Sequence, residues 1–299
     1  MSNYHKPVLL EESVSGLVVN PAGVYVDVTF GGGGHSQEIL KRLNSEGRLI
    51  AFDQDKDVLS NVFEDERFML VQSNFRYLKN YLRYLKVGEV DGVLADFGVS
   101  SHQFDEQKRG FSFRFDAELD MRMNTSQEKN AKTVLNEYDE KRLGEILWWY
   151  GEVKSARKIA AEIVKSRSEK PLETTFDLVG VVKKVLKRED KKVLAQVFQA
   201  VRIEVNDELQ VIERLLEQLP DVVKSGGRVA FITYHSLEDR LVKNFIKTGT
   251  VRGRVEKDVF GKIVRPFEEV SKKPIVPSEK EIKENPRARS AKLRIAQKI

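Results

Sequence analysis

Short apolar runs that alternate with helical stretches limit the folds open to this sequence more than any other feature. The runs are rich in Val, Ile or Phe and end at Gly or Asp, as buried strands do. Apolar residues at helical spacing separate the first three runs, around Ile39 and then from Val58 to Phe63. Because parallel strands joined by crossover helices produce this alternation, the sequence predicts a doubly wound, Rossmann-like α/β sheet. The predicted strands are Val24–Thr29, Arg48–Phe52, Phe68–Val71, Gly92–Ala95 and Arg228–Thr233.

The alternation stops for about 130 residues between the fourth and fifth predicted strands, where most of the chain has helical periodicity. One helix there is expected to be capped by Thr174 or Thr175. The last amphipathic run, from Leu209, is expected to end at Pro220, because proline cannot continue a helix. The sequence therefore predicts an all-helical domain at residues 107–206, inserted into an α/β domain of residues 1–106 and 207–299, with a final short strand at Lys292–Ala296.

The composition and the apolar pattern exclude several classes of protein and of binding site. The chain has no cysteine and four histidines, so we expect neither disulfides nor a metal site. No apolar run approaches the about 18 residues that span a bilayer, and the first ten residues lack the pattern of a signal peptide. We therefore expect a cytoplasmic protein with no membrane partner, either a monomer or a homodimer.

Two segments are more basic than the whole chain, which has 51 basic and 46 acidic residues. Lys183–Lys192 contains six basic and two acidic residues, and the segment from Arg287 to the C-terminus contains five basic residues and no acidic one. Such clusters are either solvated helix faces or sites that neutralise the phosphates of a nucleic acid.

A glycine-rich loop follows the first predicted strand. Val26–Ser36 runs from strand residues into four glycines, Gly31–Gly34, and then into a helix. Glycines let the backbone approach a ligand closely, and the free N–H groups of the next helix favour a polar or anionic group. The loop is not a P-loop, and it fits the dinucleotide fingerprint poorly, because Ser36 stands where a third glycine should be. The segment predicts either a nucleotide-like ligand or a tight turn.

Acidic residues lie at the carboxyl ends of three predicted strands, namely Asp27, Asp53 and Asp96. In open α/β sheets the ligand lies beyond the carboxyl ends of the strands, so these side chains are expected to converge on one crevice. Asp53 is placed to accept hydrogen bonds from the hydroxyls of a ribose, because it stands about 20 residues after the glycines. Taken singly, each aspartate is also a common cap or turn residue.

Two further groups of residues have both a functional and a structural interpretation. His235 follows the fifth predicted strand, and it is either a catalytic side chain or a hydrogen-bonded structural one. Arg109, Phe111 and Phe113 form an arrangement that can stack on bases and contact phosphates, or that packs within the insert.

Taken together, motifs along nearly the whole chain resemble the bacterial 16S rRNA cytosine-N4 methyltransferases, class I enzymes that use S-adenosylmethionine. Phe97 and Tyr234 stand where leucine and phenylalanine are common in that family. The matching segments are His5–Leu10, Thr29–Gly31, Gly33–Ser36, Asp96–Ser101, Arg109–Phe113, Leu119–Met123, Tyr150–Glu152, Phe198–Ile203, His235–Arg240 and Asn285–Ser290.

The resemblance implies a class I methyltransferase sheet with a helical insert that helps to recognise the substrate. It also implies transfer of a methyl group to a cytidine in the decoding region of 16S rRNA, with the small ribosomal subunit as partner. We take Asp96, and more weakly His235, as catalytic candidates. The cofactor-binding candidates are Gly31, Gly33, Gly34, His35, Asp53, Phe75, Asp96 and Gln103, and the RNA-binding candidates are Arg109, Phe111, Phe113, Arg202, Arg287 and Arg289.

Three alternatives remain open from the residues. A nicotinamide-dependent oxidoreductase is disfavoured by the missing third glycine. A non-catalytic RNA-binding assembly factor would keep the fold without the reaction. A DNA amino-methyltransferase is disfavoured because Asp96–Val99 lacks the Asp-Pro-Pro-Tyr type of sequence.

Overall fold

The computed structural model describes residues 7–100, 103–104 and 106–299. The described chain divides into two compact units. One unit contains the described residues up to Gly98 together with Leu209–Ile299, and the other contains Val99–Glu208. None of the helices in the described ranges has the length and apolar character needed to cross a membrane.

A seven-stranded sheet with the order β3-β2-β1-β4-β5-β7-β6 forms the centre of the first unit. The first five strands are parallel, and β7 lies antiparallel between β5 and β6. The predicted doubly wound sheet is therefore confirmed, and every predicted strand is present. Only β6 was missed, because three residues show no alternation. The strands are β1 Val24–Asp27, β2 Arg48–Asp53, β3 Phe68–Gln72, β4 Val90–Asp96, β5 Val223–Thr233, β6 Phe267–Glu269 and β7 Lys292–Lys298.

Helices cover both faces of this sheet. One apolar layer contains residues of α3, α9 and α10, and the other contains residues of α1 and α2. Alternate residues of β1 enter the two layers, Val26 on one face and Tyr25 on the other, as a strand buried on both faces requires. These helices are α1 Leu10–Leu17, α2 Gly34–Arg42, α3 Leu78–Tyr84, α9 Glu208–Val222, α10 Ser236–Thr248 and α11 Glu279–Glu284.

Two local predictions in this unit were wrong. The helical stretch expected from Val58 to Phe63 is a short 3₁₀ helix, Lys56–Asn61, which ends where Val62 adopts an extended conformation. Pro220 does not end the helix but lies inside Glu208–Val222. Proline has no N–H to donate to the carbonyl of Leu216, so the helix lacks this hydrogen bond, and it ends two residues later at Val222.

The second unit has its own apolar core, to which five helices of the described residues and the segment before them contribute. Thr174, one of the two expected caps, caps the fourth of these helices and forms a capping box with Asp177. The sequence placed the start of the insert at residue 107, whereas this unit begins at Val99. The helices are α4 Ala131–Glu137, α5 Glu140–Trp149, α6 Ala156–Glu169, α7 Thr175–Leu186 and α8 Lys191–Asn206.

Candidate active site

The glycine loop lies between the end of β1 and the start of α2, and Asp53 fixes its shape. One carboxylate oxygen of Asp53 accepts a hydrogen bond from the backbone N–H of Gly31 at 2.9 Å, and the other accepts one from Asp55 at 2.9 Å. Gly33 adopts a φ of 75° directly before α2, a conformation that favours glycine. Among the described residues no side chain caps this helix, so its first N–H groups are suited to bind a ligand.

Asp53 is half-buried, and the pKa of its carboxyl group is higher than usual. The pKa of Asp53 is raised to about 6, mainly by burial and also by the negative charges of Asp55 and Asp27, although the two backbone hydrogen bonds lower it. Phe75 begins the 3₁₀ turn after β3, and its half-buried ring lies 6.1 Å from that of Phe97. The structure thus places an acid and a flat apolar ring just after neighbouring strands, as an adenosine site requires.

Asp27 is buried at the end of β1 and connects three backbone segments. Its carboxylate accepts hydrogen bonds from the Ser36 hydroxyl at 2.7 Å and from the Thr29 N–H at 3.0 Å. Burial raises the pKa of Asp27, while the nearby His35 and these hydrogen bonds act in the opposite direction. Asp27 therefore holds the strand against the start of α2.

Asp96 ends β4 and has polar neighbours from three other segments of the chain. Its backbone N–H donates to the Thr29 hydroxyl at 2.7 Å, and its Oδ1 accepts the Tyr234 hydroxyl at 2.8 Å. Its Oδ2 lies 3.8 Å from Nδ1 of His35. The pKa of Asp96 is raised to about 7, mainly by burial and also by the charges of Asp27 and Glu238, although the hydrogen bond from Tyr234 lowers it.

His35 is buried beneath the loop, with Nε2 at 3.2 Å from the carbonyl oxygen of Val8. Burial lowers the pKa of His35, so the ring is neutral and Nε2–H donates to this carbonyl. Nδ1 then faces Asp96 as a lone pair. His35 thus adds no positive charge beside the acids.

Tyr234 was missed as a site residue by sequence reasoning, which treated it only as a variation on phenylalanine. Its position directly after β5 could have identified it as a site residue, because the carboxyl ends of neighbouring parallel strands lie at the same edge of the sheet. Burial and the adjacent Asp96 raise the pKa of Tyr234 well above its usual value, so its hydroxyl remains a hydrogen-bond donor.

His235 occupies the position before α10 and contacts Glu238, with 3.1 Å between Nε2 and a carboxylate oxygen. The other oxygen of the buried Glu238 accepts the backbone N–H of Tyr234 at 2.8 Å and of His235 at 3.3 Å. These contacts fix the start of the helix and the residue that precedes it. They favour the structural interpretation of His235.

Five candidates lie in the helical unit. Gln103 is buried. The backbone N–H of Ser100 donates to the side-chain oxygen of Gln103 at 3.1 Å, and the backbone N–H of Gln103 donates to the Ser100 hydroxyl oxygen at 3.1 Å. Arg109 is also buried and donates to the carbonyls of Arg122 at 2.6 Å and Met123 at 3.2 Å. Phe111 belongs to the core.

These placements favour packing rather than RNA contact for Arg109 and Phe111. Phe113 is half-buried, with its ring edge against Phe198 at 5.7 Å. Arg202 pairs with the buried Glu208, with 2.8 Å between Nε and Oε1. In the first unit, Arg287 and Arg289 are exposed on the 3₁₀ helix Pro286–Ser290, where a polyanion can reach them.

Comparison with known proteins gives matches along almost the whole chain. Residues 2–299 match the model of the MraW methylase family. Ribosomal RNA small subunit methyltransferase H of Christiangramia forsetii is 55% identical over 300 residues, which cover 100% of this chain and 99% of that protein. The protein of the same name from Parabacteroides distasonis is 56% identical, with 100% and 98% covered.

Among solved structures, an rRNA methylase from Streptococcus thermophilus aligns with 97% of this chain and 93% of its own, at 12% identity and a TM-score of 0.42. Because this TM-score is low, the fold assignment rests on the strand order of the sheet alone. The identity exceeds one half over the full length, and the family model matches almost every residue. The chain therefore belongs to the MraW methylase family.

Proposed function

We propose that the protein transfers a methyl group from S-adenosylmethionine to the exocyclic N4 amine of a cytidine in the decoding region of 16S rRNA. The names of its relatives support an rRNA of the small subunit as substrate. The choice of N4 rests on the motifs that resemble cytosine-N4 enzymes. Since the small ribosomal subunit is the partner, the protein acts in the cytoplasm.

The observation that carries the proposal is an uncompensated group of acids at the strand ends. Burial raises the pKa of Asp27, Asp53 and Asp96. Within the described ranges, no lysine or arginine forms an ion pair with any of the three. A sulfonium cation and the hydroxyl donors of a ribose complement such a site. The pyrophosphate of a nicotinamide dinucleotide would be repelled, which disfavours the oxidoreductase alternative.

The residues of the first unit fit an adenosyl ligand in distinct ways. Gly31, Gly33 and Gly34 supply close backbone approach, and the Asp53 carboxylate has lone pairs left for two ribose hydroxyls. Phe75 offers a face to the adenine. His35 supports the loop from beneath through its bond to Val8. In the helical unit, Gln103 remains a proposed contact on the resemblance alone.

When bound, S-adenosylmethionine supplies an electrophilic methyl group, so the chain has to orient and activate the acceptor amine. The lone pair of a cytosine amine is delocalised into the ring, and a hydrogen bond accepted from its N–H draws the nitrogen toward a tetrahedral form. We assign this bond to Asp96, whose Oδ1 is occupied by Tyr234 and whose Oδ2 remains open to a donor. A pKa of about 7 suits a group that accepts a proton near neutral pH.

The target base has to leave its stack to reach such a carboxylate, as in other enzymes that modify bases. His235 has a positioning role in this scheme, because it fixes the start of α10 beside Tyr234. Arg287 and Arg289 are the proposed phosphate contacts of the first unit.

The deciding experiment is methyl transfer in vitro to small subunits that lack the modification, followed by mass spectrometry of the digested rRNA. We expect one N4-methylated cytidine. A methyl group on a purine or on carbon 5 of cytosine would overturn the proposed product. Binding of rRNA without transfer would establish the assembly-factor alternative, and binding of reduced nicotinamide cofactor in place of S-adenosylmethionine would establish the oxidoreductase.

A further inference from the structure

Two large aromatic side chains are exposed on the helical unit, where the core does not use them. Trp148 is 53% exposed and Trp149 is 66% exposed, at the end of α5. They are the only two tryptophans in the sequence. Exposed tryptophans that lie side by side are unusual for a surface that serves only solubility, since such residues are enriched at binding sites.

Both tryptophans line one groove of about 980 Å³, which we call the tryptophan groove. Residues of α5 and of the first turn of α6 form its walls, with Gly144 and Ala156 as its buried small residues. A volume of this size holds a ligand of small-molecule dimensions or a short stretch of chain.

Four cations line the same groove, namely Lys141, Lys154, Arg157 and Lys158. All four are exposed, and none forms an ion pair with an acid of the described ranges. Of the two glutamates in the lining, Glu145 is engaged by Arg142 at 3.7 Å. The groove therefore presents uncompensated positive charge around two aromatic faces.

The Lys183–Lys192 cluster, which the sequence singled out as basic, differs in this respect. Lys183 pairs with Glu189 at 2.7 Å, Lys184 pairs with Glu162 at 2.6 Å, and Arg188 pairs with Asp190 at 3.2 Å. Acids on the same unit thus neutralise half of the cluster's basic residues. Charge complementarity to a polyanion is greater at the tryptophan groove.

We propose that the tryptophan groove binds a single-stranded segment of the RNA substrate. Bases stack on the tryptophans, and the free cations contact the phosphates, a combination typical of single-strand sites. A double helix would not suit the groove, because its bases are stacked on each other and are not free to stack on an indole. The inference rests on the proposed function and adds a second contact region to it.

The sequence provides its own probe, because all tryptophan fluorescence of the chain comes from this groove. The full chain is titrated with an unlabelled single-stranded oligonucleotide of about ten residues and with a hairpin duplex of equal length. We expect saturable quenching by the single strand, weakened by salt with a slope that corresponds to about three phosphates. Equal quenching by the duplex, or RNA binding without any change in emission, would overturn the proposal.

Variants separate stacking from charge. Trp148→Ala or Trp149→Ala is expected to weaken single-strand binding about five- to a hundredfold, whereas the matched Phe variants retain most of it. Arg157→Ala is expected to reduce the salt slope by about one phosphate. Lys184→Ala is the control, a paired lysine outside the groove that should leave affinity unchanged. Unchanged affinity in both Trp→Ala variants would refute the inference.

Two further outcomes distinguish this inference from the proposed function. If both Trp→Ala variants methylate small subunits with an unchanged KM, the groove is not a substrate contact, while the methyltransferase proposal stands. If emission instead changes with protein concentration in the absence of RNA, a second copy of the chain occupies the groove and the RNA proposal fails.

Discussion

Buried carboxylates at the strand ends of the first unit differ from those of the helical unit. At the strand ends of the first unit, Asp53 and Asp96 are desolvated without a cationic partner, and the pKa of each is raised. In the helical unit, buried carboxylates are paired, as Glu208 is with Arg202 and Glu204 is with Arg142 at 3.1 Å. Perturbed pKa values concentrate at functional sites, whereas paired charges are the usual solution for structure.

This difference indicates which buried charged side chains bind a ligand and which stabilise the fold, a question that the sequence alone left open. Charge that the fold leaves uncompensated is available to a ligand, and its removal should cost activity while sparing or raising stability. Charge that is compensated within the fold should show the reverse pattern. Substitutions in the two units therefore test the comparison directly.

The largest effect is expected from Asp96→Asn. If the carboxylate accepts the amine proton, turnover at saturating S-adenosylmethionine should fall by about 10²–10⁴-fold, the usual contribution of a positioned base. Methyl transfer to small subunits measures it, with cofactor affinity measured separately by calorimetry. Undiminished turnover would remove Asp96 from the chemistry.

Thermal unfolding checks the same variant independently. The pKa of Asp96 is raised from 3.8 to about 7, so the folded protein binds this proton more tightly than the unfolded chain. Ionisation of Asp96 therefore opposes folding increasingly between pH 4 and 7, and fully above that range. Asparagine mimics the protonated form, so Asp96→Asn should stabilise the fold at pH 8, by on the order of 1–4 kcal/mol, and not at pH 4.

Arg202→Ala should give the opposite result in the helical unit. Its side chain is 13% exposed and that of Glu208 is 7% exposed, so the substitution leaves a buried carboxylate without its partner. The expected loss is about 3–5 kcal/mol of unfolding free energy. Arg214→Ala is the control, since its pair with Glu217 is exposed and worth less than about 1 kcal/mol. A stable Arg202→Ala protein with weak RNA binding would restore Arg202 as an RNA contact.

Asp53→Asn should act mainly on the cofactor. The lost charge and acceptor are expected to raise the Kd for S-adenosylmethionine by about ten- to a hundredfold, with a smaller change in kcat at saturation. Because the pKa of Asp53 is about 6, wild-type affinity should fall below that pH, and the variant should lose this dependence. Asp57→Asn, an exposed neighbour, serves as the control. Equal affinity in both variants would exclude a ribose contact.

Local pattern explains which parts of the fold could be predicted. Strand ends follow from alternation and from Gly or Asp at the boundary, so Asp27, Asp53 and Asp96 were placed correctly at one edge of the sheet. Short elements were harder to predict from the sequence. The three-residue β6 exists because it pairs with β7, and nothing in its own sequence requires a strand.

Long-range contacts account for the site residues that were missed or misread. Tyr234 meets Asp96 across 138 positions of sequence, and no periodicity reports such a bond. Arg109 and Phe111 match the composition of an RNA-binding segment, yet the first donates to backbone carbonyls and the second packs in the core. Composition describes what a side chain can do, whereas burial decides what remains available to a partner.

Tyr234→Phe should produce the smallest change, and the one that most directly tests how Asp96 is tuned. The Tyr234 hydroxyl donates to the Asp96 carboxylate at 2.8 Å, which favours the charged form and lowers the pKa that burial raises. Without that donor the pKa of Asp96 rises above about 7, so the acid limb of the pH–rate profile should move to higher pH. The rate should fall several-fold near pH 7 and recover by about pH 9, since the ionised carboxylate is then present in both proteins. Phenylalanine keeps the ring and is common at this position in the family that the sequence resembles, so the variant is expected to fold. If Tyr234 serves only packing, the two profiles will superimpose, and the pKa of Asp96 is then set by burial and the neighbouring acids alone.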